Sequence, residues 1–261
     1  MSDQTMISLA SARQARLLER LQSESYVDTQ ALRSYLGVSE ATVRRDLVDL
    51  EARGLVRRTH GGALPAVQVT TDYPNAERLV KNTAEKTRIG KVAAGLVQAG
   101  DVVFLDAGTT TLEVARQLAD RTGLTFITNG TDIAACLSSA GAERLFVIGG
   151  EYSEANHSLI GPIAIEAISR FNVDKLFLSV SAVDLNRAQI GISSPTMAAT
   201  QRAMIEIAQD VVLVADHTKF ARNALSVIAS LNDIDTVVTN RASEEHMASL
   251  PGALQRKFIF A

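Results

Sequence analysis

Short apolar runs rich in β-branched residues recur through residues 81–261, and most are separated by stretches with helical spacing. The runs cover residues 102–105, 124–127, 145–148, 176–180, 211–215, 236–238 and 258–260. The helical stretches cover residues 87–97, 111–119, 163–169 and 200–208. Strands that alternate with helices are joined by right-handed crossovers, which give a mostly parallel sheet covered on both faces. The pattern therefore predicts an α/β domain in this part of the chain.

Polar or glycine residues follow several of these predicted strands at the point where each strand ends. They are Asp106, Asn129, Gly149-Gly150, Asp216 and Asn240. In an open α/β sheet, ligands bind in the crevice outside the carboxyl ends of the strands. We therefore expect these residues to mark a pocket.

The segment DAGTTT, residues 106–111, lies between a predicted strand and a predicted helix. A glycine turn followed by hydroxyls at a helix N-terminus offers backbone N–H groups, side-chain O–H donors and a favourable dipole to an anion. The segment lacks the lysine and the spacing of a nucleotide-binding P-loop, so a phosphate on a small metabolite suits it better than ATP. The alternative is an N-capped helix whose threonines only fill space.

A second candidate for anion binding is Lys219, in the segment DHTKF that follows another predicted strand. Its ammonium group could supply a point charge for the same phosphate. Taken alone the signal is weak, because an Asp–Lys pair in a loop is more often a surface ion pair.

No set of residues in the sequence has the pattern of a catalytic or metal site. The serines at 179, 181, 193 and 194 have no identifiable histidine partner, and His157 stands alone. The 4 histidines are scattered and Cys136 is the single cysteine, so neither a metal site nor an intramolecular disulfide is expected. We predict no enzymatic activity and no cofactor.

Residues 11–64 have the pattern of three short helices followed by a β-hairpin. The second helix is predicted to start near Asp28 and to end at Gly37, which tolerates the left-handed conformation. Ser39 is a good N-cap for the third helix, and Gly54 is placed to end it. The apolar residues Val43, Leu47 and Leu50 have the spacing of one inner helix face. Three helices and a basic hairpin predict a winged helix-turn-helix.

The third predicted helix and the hairpin carry the residues that we expect to contact DNA. A short helix with paired arginines near its start has the size and charge to enter the major groove, and the hairpin more plausibly meets the backbone or minor groove. The predicted contact residues are Ser39, Thr42, Arg44, Arg45, Arg57, Arg58 and His60. The alternative is a solvated amphipathic helix with an ordinary charged face. Because the net charge of the chain is −3, it is the local placement of the arginines, and not the bulk charge, that indicates DNA binding.

The domain organisation follows from these patterns. Residues 1–64 form the winged helix-turn-helix, and residues 81–261 form the α/β domain. Residues 65–80 contain two prolines and no clear period, which is typical of a linker. The N-terminus lacks the order of a signal peptide and no apolar run approaches ~20 residues, so we expect a cytoplasmic protein with no membrane partner.

The segment VSEATVRRDLVDLEARGLVRRTHGGAL, residues 38–64, closely resembles the DNA-binding domain of the DeoR family of bacterial transcriptional regulators. The resemblance continues through nearly the whole chain. It includes Glu85-Lys86, FLDAGTTT at 104–111, Thr128-Asn129, Gly149-Gly150, LIGP at 159–162, VDKLF at 173–177 and ADHTKF at 215–220. It implies a Rossmann-like, mostly parallel α/β sensor domain related to ribose-phosphate isomerases and coenzyme A transferases.

The resemblance also implies a function and a set of ligand residues. Members of the family typically repress carbohydrate-catabolism genes and leave operator DNA when a phosphorylated sugar binds, and they are usually dimers or tetramers. The implied effector-binding residues are Asp106, Gly108, Thr109, Thr110, Thr111, Thr128, Asn129, Gly149, Gly150, Lys175, Asp216 and Lys219. We therefore expect a homo-oligomeric repressor of a carbohydrate-catabolism operon.

This sequence departs from the family pattern where the sugar would lie. Ser179-Val180-Ser181-Ala182 replaces a glycine-containing turn, and Met197 and Gln201 stand where the family commonly has glutamate and lysine. These departures favour an effector that is phosphorylated but less typical in its sugar part. Two alternatives stay open: an isomerase or deaminase with an appended DNA-binding domain, and an activator, since nothing in the residues gives the sign of regulation.

Overall fold

The computed structural model describes residues 10, 12–18, 20–21, 26–53, 55–59, 61–65, 69–70, 74–220, 222–241 and 250–261. Of the predicted features, His60 and Gly54 lie outside these residues. The chain divides into two compact units, Met1–Gln68 and Val69–Ala261, which we describe separately. No helix in the described ranges has both the length and the apolar character needed to cross a bilayer.

The first unit has the helices and strands of a winged helix-turn-helix. The helices are α1 (residues 12–18 and 20–21), α2 (Thr29–Leu36) and α3 (Glu40–Ala52), and the strands are β1 (Val27–Asp28), β2 (Val56–Arg58) and β3 (Gly62–Pro65). The strands form one antiparallel sheet in the order β1-β3-β2, in which β2 and β3 make the wing. The predicted fold of this region is confirmed.

Local chemistry explains where α2 and α3 start and stop. The Asp28 carboxylate accepts hydrogen bonds from the backbone N–H groups of Gln30 and Ala31, both at 2.8 Å. Gly37 ends α2 with φ of 67°, a conformation that costs glycine nothing. Ser39 then caps α3 by accepting from the N–H of Thr42 at 3.2 Å. The start of α2 is therefore specified by Asp28, and the turn between α2 and α3 by Gly37 and Ser39.

The core of the first unit holds the three helices and the sheet together. Its fully buried side chains include Leu17, Leu21, Leu32, Val43 and Leu50. Asp46 is also buried, and the Arg13 guanidinium binds it through Nε at 2.5 Å and Nη2 at 2.9 Å. This pair joins α1 to α3 and leaves the outer face of α3 exposed.

The second unit is built on a seven-stranded sheet in the order β17-β16-β13-β10-β5-β6-β7, with every neighbouring pair parallel. Its strands are β5 (Val102–Leu105), β6 (Thr125–Thr128), β7 (Arg144–Val147), β10 (Val173–Leu178), β13 (Ala208–Val214), β16 (Thr236–Thr239) and β17 (Phe258–Phe260). Each predicted run overlaps one strand. The Rossmann-like α/β prediction is confirmed.

Helices cover both faces of this sheet. They are α4 (Asn75–Val80), α5 (Thr83–Ala94), α6 (Thr109–Leu118), α7 (Thr131–Ser139), α8 (Pro162–Ile168), α9 (Pro195–Glu206) and α10 (Gly252–Gln255). Alternate residues of one strand enter different cores: Val103 and Leu105 pack with Ile89 of α5, whereas Phe104 packs with Met204 of α9. The inner strands of the sheet are thus buried on both sides, as a parallel sheet requires, whereas Phe146 and Val147 of the edge strand β7 are exposed.

Several small elements were not predicted. They are β4 (Val69–Thr70), which pairs with β14 (Asn223–Ala224), the hairpin of β8 (Glu151–Ser153) and β9 (Ser158–Ile160), and the antiparallel sheet of β11 (Ala182–Asp184), β12 (Gln189–Ile192) and β15 (Ser226–Ser230). Residues 65–80 were predicted to be a linker, but residues 75–80 form α4 and the second compact unit starts at Val69.

Gly90 lies where α5 packs directly on α6. A Cβ at this position would lie 2.7 Å from the carbonyl carbon and 2.8 Å from the carbonyl oxygen of Glu113. Because a backbone cannot yield as a side chain does, we expect Gly90→Ala to lower the free energy of unfolding by about 1–3 kcal/mol. Urea unfolding measures this. Gly252→Ala, where a Cβ meets nothing within 4 Å, is the control and should be neutral; equal stabilities for the two variants would contradict the prediction.

Candidate functional site

The outer face of α3 carries the arginines that the sequence predicted as DNA contacts. Arg44 and Arg45 are both exposed. Arg44 forms an ion pair with Glu40 one turn earlier, with Nη2 2.6 Å from Oε1. Arg45 makes no hydrogen bond or ion pair within the described part of the chain. Its guanidinium group is thus available for a partner outside the protein.

The hydroxyl groups at the start of α3 are already engaged. Ser39 Oγ lies 2.8 Å from Thr42 Oγ1 and also accepts from the Thr42 N–H. These bonds hold the first turn of α3 in shape, so both residues position the helix whatever else they contact.

Arg58, one of the predicted DNA contacts in the wing, binds the wing to α3. Arg58 donates to Glu51 from its backbone N–H at 2.9 Å and from Nε at 2.7 Å. These two bonds, the backbone one first, lower the pKa of the Glu51 carboxyl. Arg57, the neighbouring residue, is exposed. Arg58 therefore orients the wing, and Arg57 is the more available cation.

In the second unit, a small pocket opens at the carboxyl ends of β5, β10 and β13, and none of the six strand-end residues that were expected to mark a pocket lines it. Its polar lining combines two basic side chains with hydroxyl, amide and backbone groups, and its remaining lining is apolar. The lining residues are Arg78, Ala107, Gly108, Thr109, Thr110, Asn156, Ser179, Val180, Ser181, Ile192, Met197, Val214 and Lys219. The N-terminus of a ten-residue helix, α6, and the two cations in the lining are features that favour an anion.

Gly108 allows the turn before α6 to lie against the end of β10. A Cβ on Gly108 would lie 2.6 Å from Ser179 Oγ and 2.7 Å from Ser179 Cβ. Thr111, on the first turn of α6, donates from Oγ1 to the Gly108 carbonyl at 2.9 Å and is fully buried. Thr109 and Thr110 line the pocket, whereas Thr111 holds the turn from behind.

Other predicted effector residues form the scaffold of the pocket. Thr128 donates from Oγ1 to the Leu105 carbonyl at 2.7 Å. Asn129 accepts from the Ala107 N–H at 3.0 Å and donates to the Leu159 carbonyl at 3.3 Å. Both side chains are buried and neither lines the pocket. They join the ends of adjacent strands and so fix the backbone that the ligand would meet.

Asp106 is fully buried behind the pocket wall. Its Oδ2 accepts from the Ser179 N–H at 3.1 Å, from Ser179 Oγ at 3.0 Å and from Gln201 Nε2 at 2.8 Å. Its Oδ1 and Gln201 Oε1 have no hydrogen-bond partner among the described residues. Burial raises the pKa of Asp106 to about 6, against the hydrogen bonds from Gln201 and Ser179, which lower it.

Because its pKa is raised, the Asp106 carboxyl makes the free energy of unfolding depend on pH. The pKa in the folded state, about 6, lies above the ordinary value of 3.8, so the folded protein binds the proton more tightly. The resulting stabilisation is complete below the ordinary value and is lost as pH rises through 6. Asp106→Asn keeps a carbonyl acceptor and places an amide at the unpaired oxygen. We expect its stability relative to the parent to rise by about 1–2 kcal/mol between pH 5 and 8 in urea unfolding. Parallel pH profiles would contradict this.

Lys219 and Asp216 lie in the turn after β13, with Lys86 of α5 near both. Burial alone would raise the pKa of Asp216, but the Lys219 charge, the Thr218 hydrogen bonds and the Lys86 charge outweigh it, and the pKa is lowered. Lys86 is buried, which lowers its pKa to about 8. Its Nζ donates to the carbonyl oxygens of Arg78 and Lys81, so it supports the end of α4.

Three of the predicted effector residues lie away from the pocket. Lys175 lies in the first half of β10 and forms an ion pair with Asp210 of β13. Gly150 allows a close turn between β7 and β8, because a Cβ there would lie 2.7 Å from the Ile160 carbonyl oxygen, whereas a Cβ on Gly149 would meet nothing within 4 Å. None of the three lines the pocket. Their role as effector ligands stays a prediction.

The sequence reasoning missed two polar residues of the pocket. Arg78 lies on α4, inside the stretch that was predicted to be a linker, and Asn156 lies in the loop between β8 and β9. Neither residue follows a predicted strand, so the rule that found the other candidates could not find them. An arginine close to the start of the second domain was the one available signal.

Both units of the chain are similar to domains of known proteins. Residues 13–68 match the DeoR-like helix-turn-helix domain, and residues 81–241 match the DeoR C terminal sensor domain. The chain belongs to the DeoR family. Operator DNA and a small-molecule effector are the partner classes of such a regulator. Among the described residues, no group of three or more His, Cys, Asp and Glu side chains could hold a metal ion.

Curated relatives of this DeoR-family chain are transcriptional regulators, and the similarity covers most of the length of each protein. The transcriptional repressor AccR of Agrobacterium fabrum is 47% identical, over 95% of this chain and 96% of that protein. The glycerol-3-phosphate regulon repressor of Escherichia coli is 34% identical, over 86% of this chain and 88% of that protein. The repressor GlcR of Bacillus subtilis is 34% identical, over 90% of each. The chain is a transcriptional regulator, and no relative supports the enzyme alternative.

Solved structures are more distant. A ribose 5-phosphate isomerase from Methanocaldococcus jannaschii has a TM-score of 0.40 and 16% identity, over 54% of this chain and 55% of that one. The eIF2B delta protein of Chaetomium thermophilum has a TM-score of 0.46 and 14% identity, over 88% of this chain and 71% of that one. At this level of similarity neither structure informs the function.

Proposed function

We propose that this DeoR-family protein is a repressor that leaves its operator when a small phosphorylated sugar or polyol enters the pocket of the second unit. The observation that carries the proposal is that Arg78 and Lys219 line the same pocket as the turn of Gly108, Thr109 and Thr110. Backbone N–H groups, hydroxyls and two cations together match the charge and the acceptors of a phosphate.

The rest of the pocket supports a small ligand with few hydroxyl groups. Val180, Ile192, Met197 and Val214 contribute an apolar wall. Gln201 is committed to Asp106 and to the Ser179 carbonyl, each at 2.8 Å, and is fully buried. The name of the E. coli relative indicates a short phosphorylated polyol, which agrees with this wall. The proposed effector ligands are Arg78, Gly108, Thr109, Thr110 and Lys219.

For the DNA side, we propose Arg45 as the principal contact of α3, with Arg44, Thr42 and Ser39 around it. Arg57, Arg58 and His60 of the wing are proposed to meet the DNA backbone or minor groove. In a homo-oligomer, dimer or tetramer, two recognition helices would bind half-sites separated by one helical turn of DNA, about 34 Å, or by a multiple of it. The proposed location is the cytoplasm, where a bacterial operator is found.

Fluorescence anisotropy of the DNA upstream of the neighbouring operon tests the proposal. Glycerol 3-phosphate, ribose 5-phosphate and glucose 6-phosphate are added to the protein–DNA complex beside glycerol, ribose and glucose. We expect at least one phosphorylated compound to release the DNA and its parent compound to have no effect. Release by parent compounds alone would contradict the phosphate assignment, and sustained conversion of a sugar phosphate would favour the enzyme alternative.

A further inference from the structure

The helix α4 connects the two functions of the chain by its position. It is the first helix of the second unit, so the polypeptide that arrives from the DNA-binding unit enters the second unit through β4 and α4. The shortest covalent route from the pocket to the DNA-binding unit therefore runs through α4.

Polar contacts hold α4 at both ends and in the middle. Asn75 at its start donates to Asp132 of α7 at 2.8 Å. Arg78 Nη2 donates to Asn156 Oδ1 at 2.8 Å and to the Ala155 carbonyl at 3.2 Å. Lys86 donates to carbonyl oxygens at its end. Of these contacts, the one made by Arg78 fixes α4 to the loop between β8 and β9.

That middle contact lies in the pocket itself. Arg78 and Asn156 both belong to the pocket lining, together with Lys219 and the turn before α6. The guanidinium is charged, but the acceptors it contacts on the loop are a neutral amide and a neutral carbonyl. A phosphate offers charged oxygens to which arginine binds roughly twice as strongly. An anion that binds Arg78 through Nη2 therefore competes with Asn156 and Ala155 for this nitrogen.

We propose that Arg78 binds the effector anion by giving up its bonds to Asn156 and Ala155, and that this exchange transmits pocket occupancy to α4. This inference rests on the proposed function. In the unliganded protein, Arg78 holds α4 against the loop, and this arrangement binds the operator. In the liganded protein, Arg78 turns to the phosphate and the loop no longer holds α4. The effector shifts the balance because it binds the second arrangement better.

Two substitutions separate the roles of Arg78. Asn156→Ala removes a loop partner and leaves the guanidinium in the pocket, so we expect weaker operator binding without effector and tighter effector binding. Arg78→Gln removes the charge, so we expect effector affinity to fall by about tenfold or more. Arg170, which follows the end of α8, forms an exposed ion pair with Glu166. Arg170→Gln is the matched control and should leave both affinities unchanged.

The measurements are calorimetric binding of ribose 5-phosphate, glycerol 3-phosphate, glucose 6-phosphate and inorganic phosphate, and operator anisotropy with the same probes, on the full chain. Thermal unfolding checks that each variant is folded. If Arg78→Gln is not folded, Arg78→Lys, which keeps the charge, takes its place. Binding of a probe with operator release in the parent protein establishes the proposed function separately. Unchanged probe affinity in Arg78→Gln, or parental operator affinity and release in Asn156→Ala, would overturn the inference.

Discussion

Arg45→Ala is expected to weaken operator binding by roughly tenfold to 100-fold while effector affinity stays unchanged. Arg45 is exposed on α3 and makes no hydrogen bond or ion pair within the described residues, so its removal costs the folded protein little. An arginine that binds a guanine edge through two hydrogen bonds contributes about 1–3 kcal/mol of discrimination, which is the expected loss.

Anisotropy titrations of the operator measure this loss, and Arg88→Ala provides the control. Arg88 is an exposed arginine of α5, 3.8 Å from Glu85, and lies in the second unit. If Arg45 contacts a base, the loss should be large on the operator and small on unrelated DNA. If it contacts a phosphate, the loss should be uniform and the salt dependence shallower by about one charge. Unchanged operator affinity in Arg45→Ala would refute the assignment of α3.

Lys219→Gln should abolish the response to phosphorylated effectors at concentrations that release the parent protein. The Lys219 ammonium group lines the pocket beside the turn before α6, and a hydrogen bond to a charged group is worth about 1.5–3 kcal/mol. The expected loss of effector affinity is therefore about tenfold to 150-fold. Operator binding without effector should persist, so the variant should stay on the operator at effector concentrations that release the parent protein.

Lys175→Gln is the control for this prediction, because both lysines were effector candidates in the sequence. Lys175 is engaged with Asp210 on the neighbouring strand and lies outside the pocket lining. Its replacement should leave effector affinity unchanged. Calorimetric titration of both variants with the same sugar phosphate decides between them: a larger loss in Lys175→Gln than in Lys219→Gln would show that the pocket is wrongly placed.

The parts of the fold that depend on local chemistry were predictable. Asp28, Gly37 and Ser39 act on backbone groups within three or four residues, so the limits of α2 and α3 can be read from the sequence. The inner strands of the sheet are buried on both faces and appear as continuous apolar runs. Their exact starts were less predictable, since β10 begins with Val173-Asp174-Lys175, whose polar side chains are only half-buried.

The pocket was predictable only in part, because its residues come from two kinds of structure. Gly108, Thr109, Thr110 and Lys219 follow strands of the parallel sheet, where a general rule places ligands. Arg78 comes from a six-residue helix and Asn156 from a hairpin loop, and long-range packing brings both to the pocket. The family pattern suggested Lys175 as a ligand, but a position three residues before a strand end does not reach the pocket.

The central claim is that operator and effector bind to one chain antagonistically. It is tested most directly by measuring the affinity of the effector twice, for the free protein and for the protein saturated with operator DNA. Linkage requires the operator to weaken effector binding by the same factor by which the effector weakens operator binding, typically about fivefold to 150-fold. The account predicts two equal factors in this range. Equal effector affinity with and without operator would contradict it.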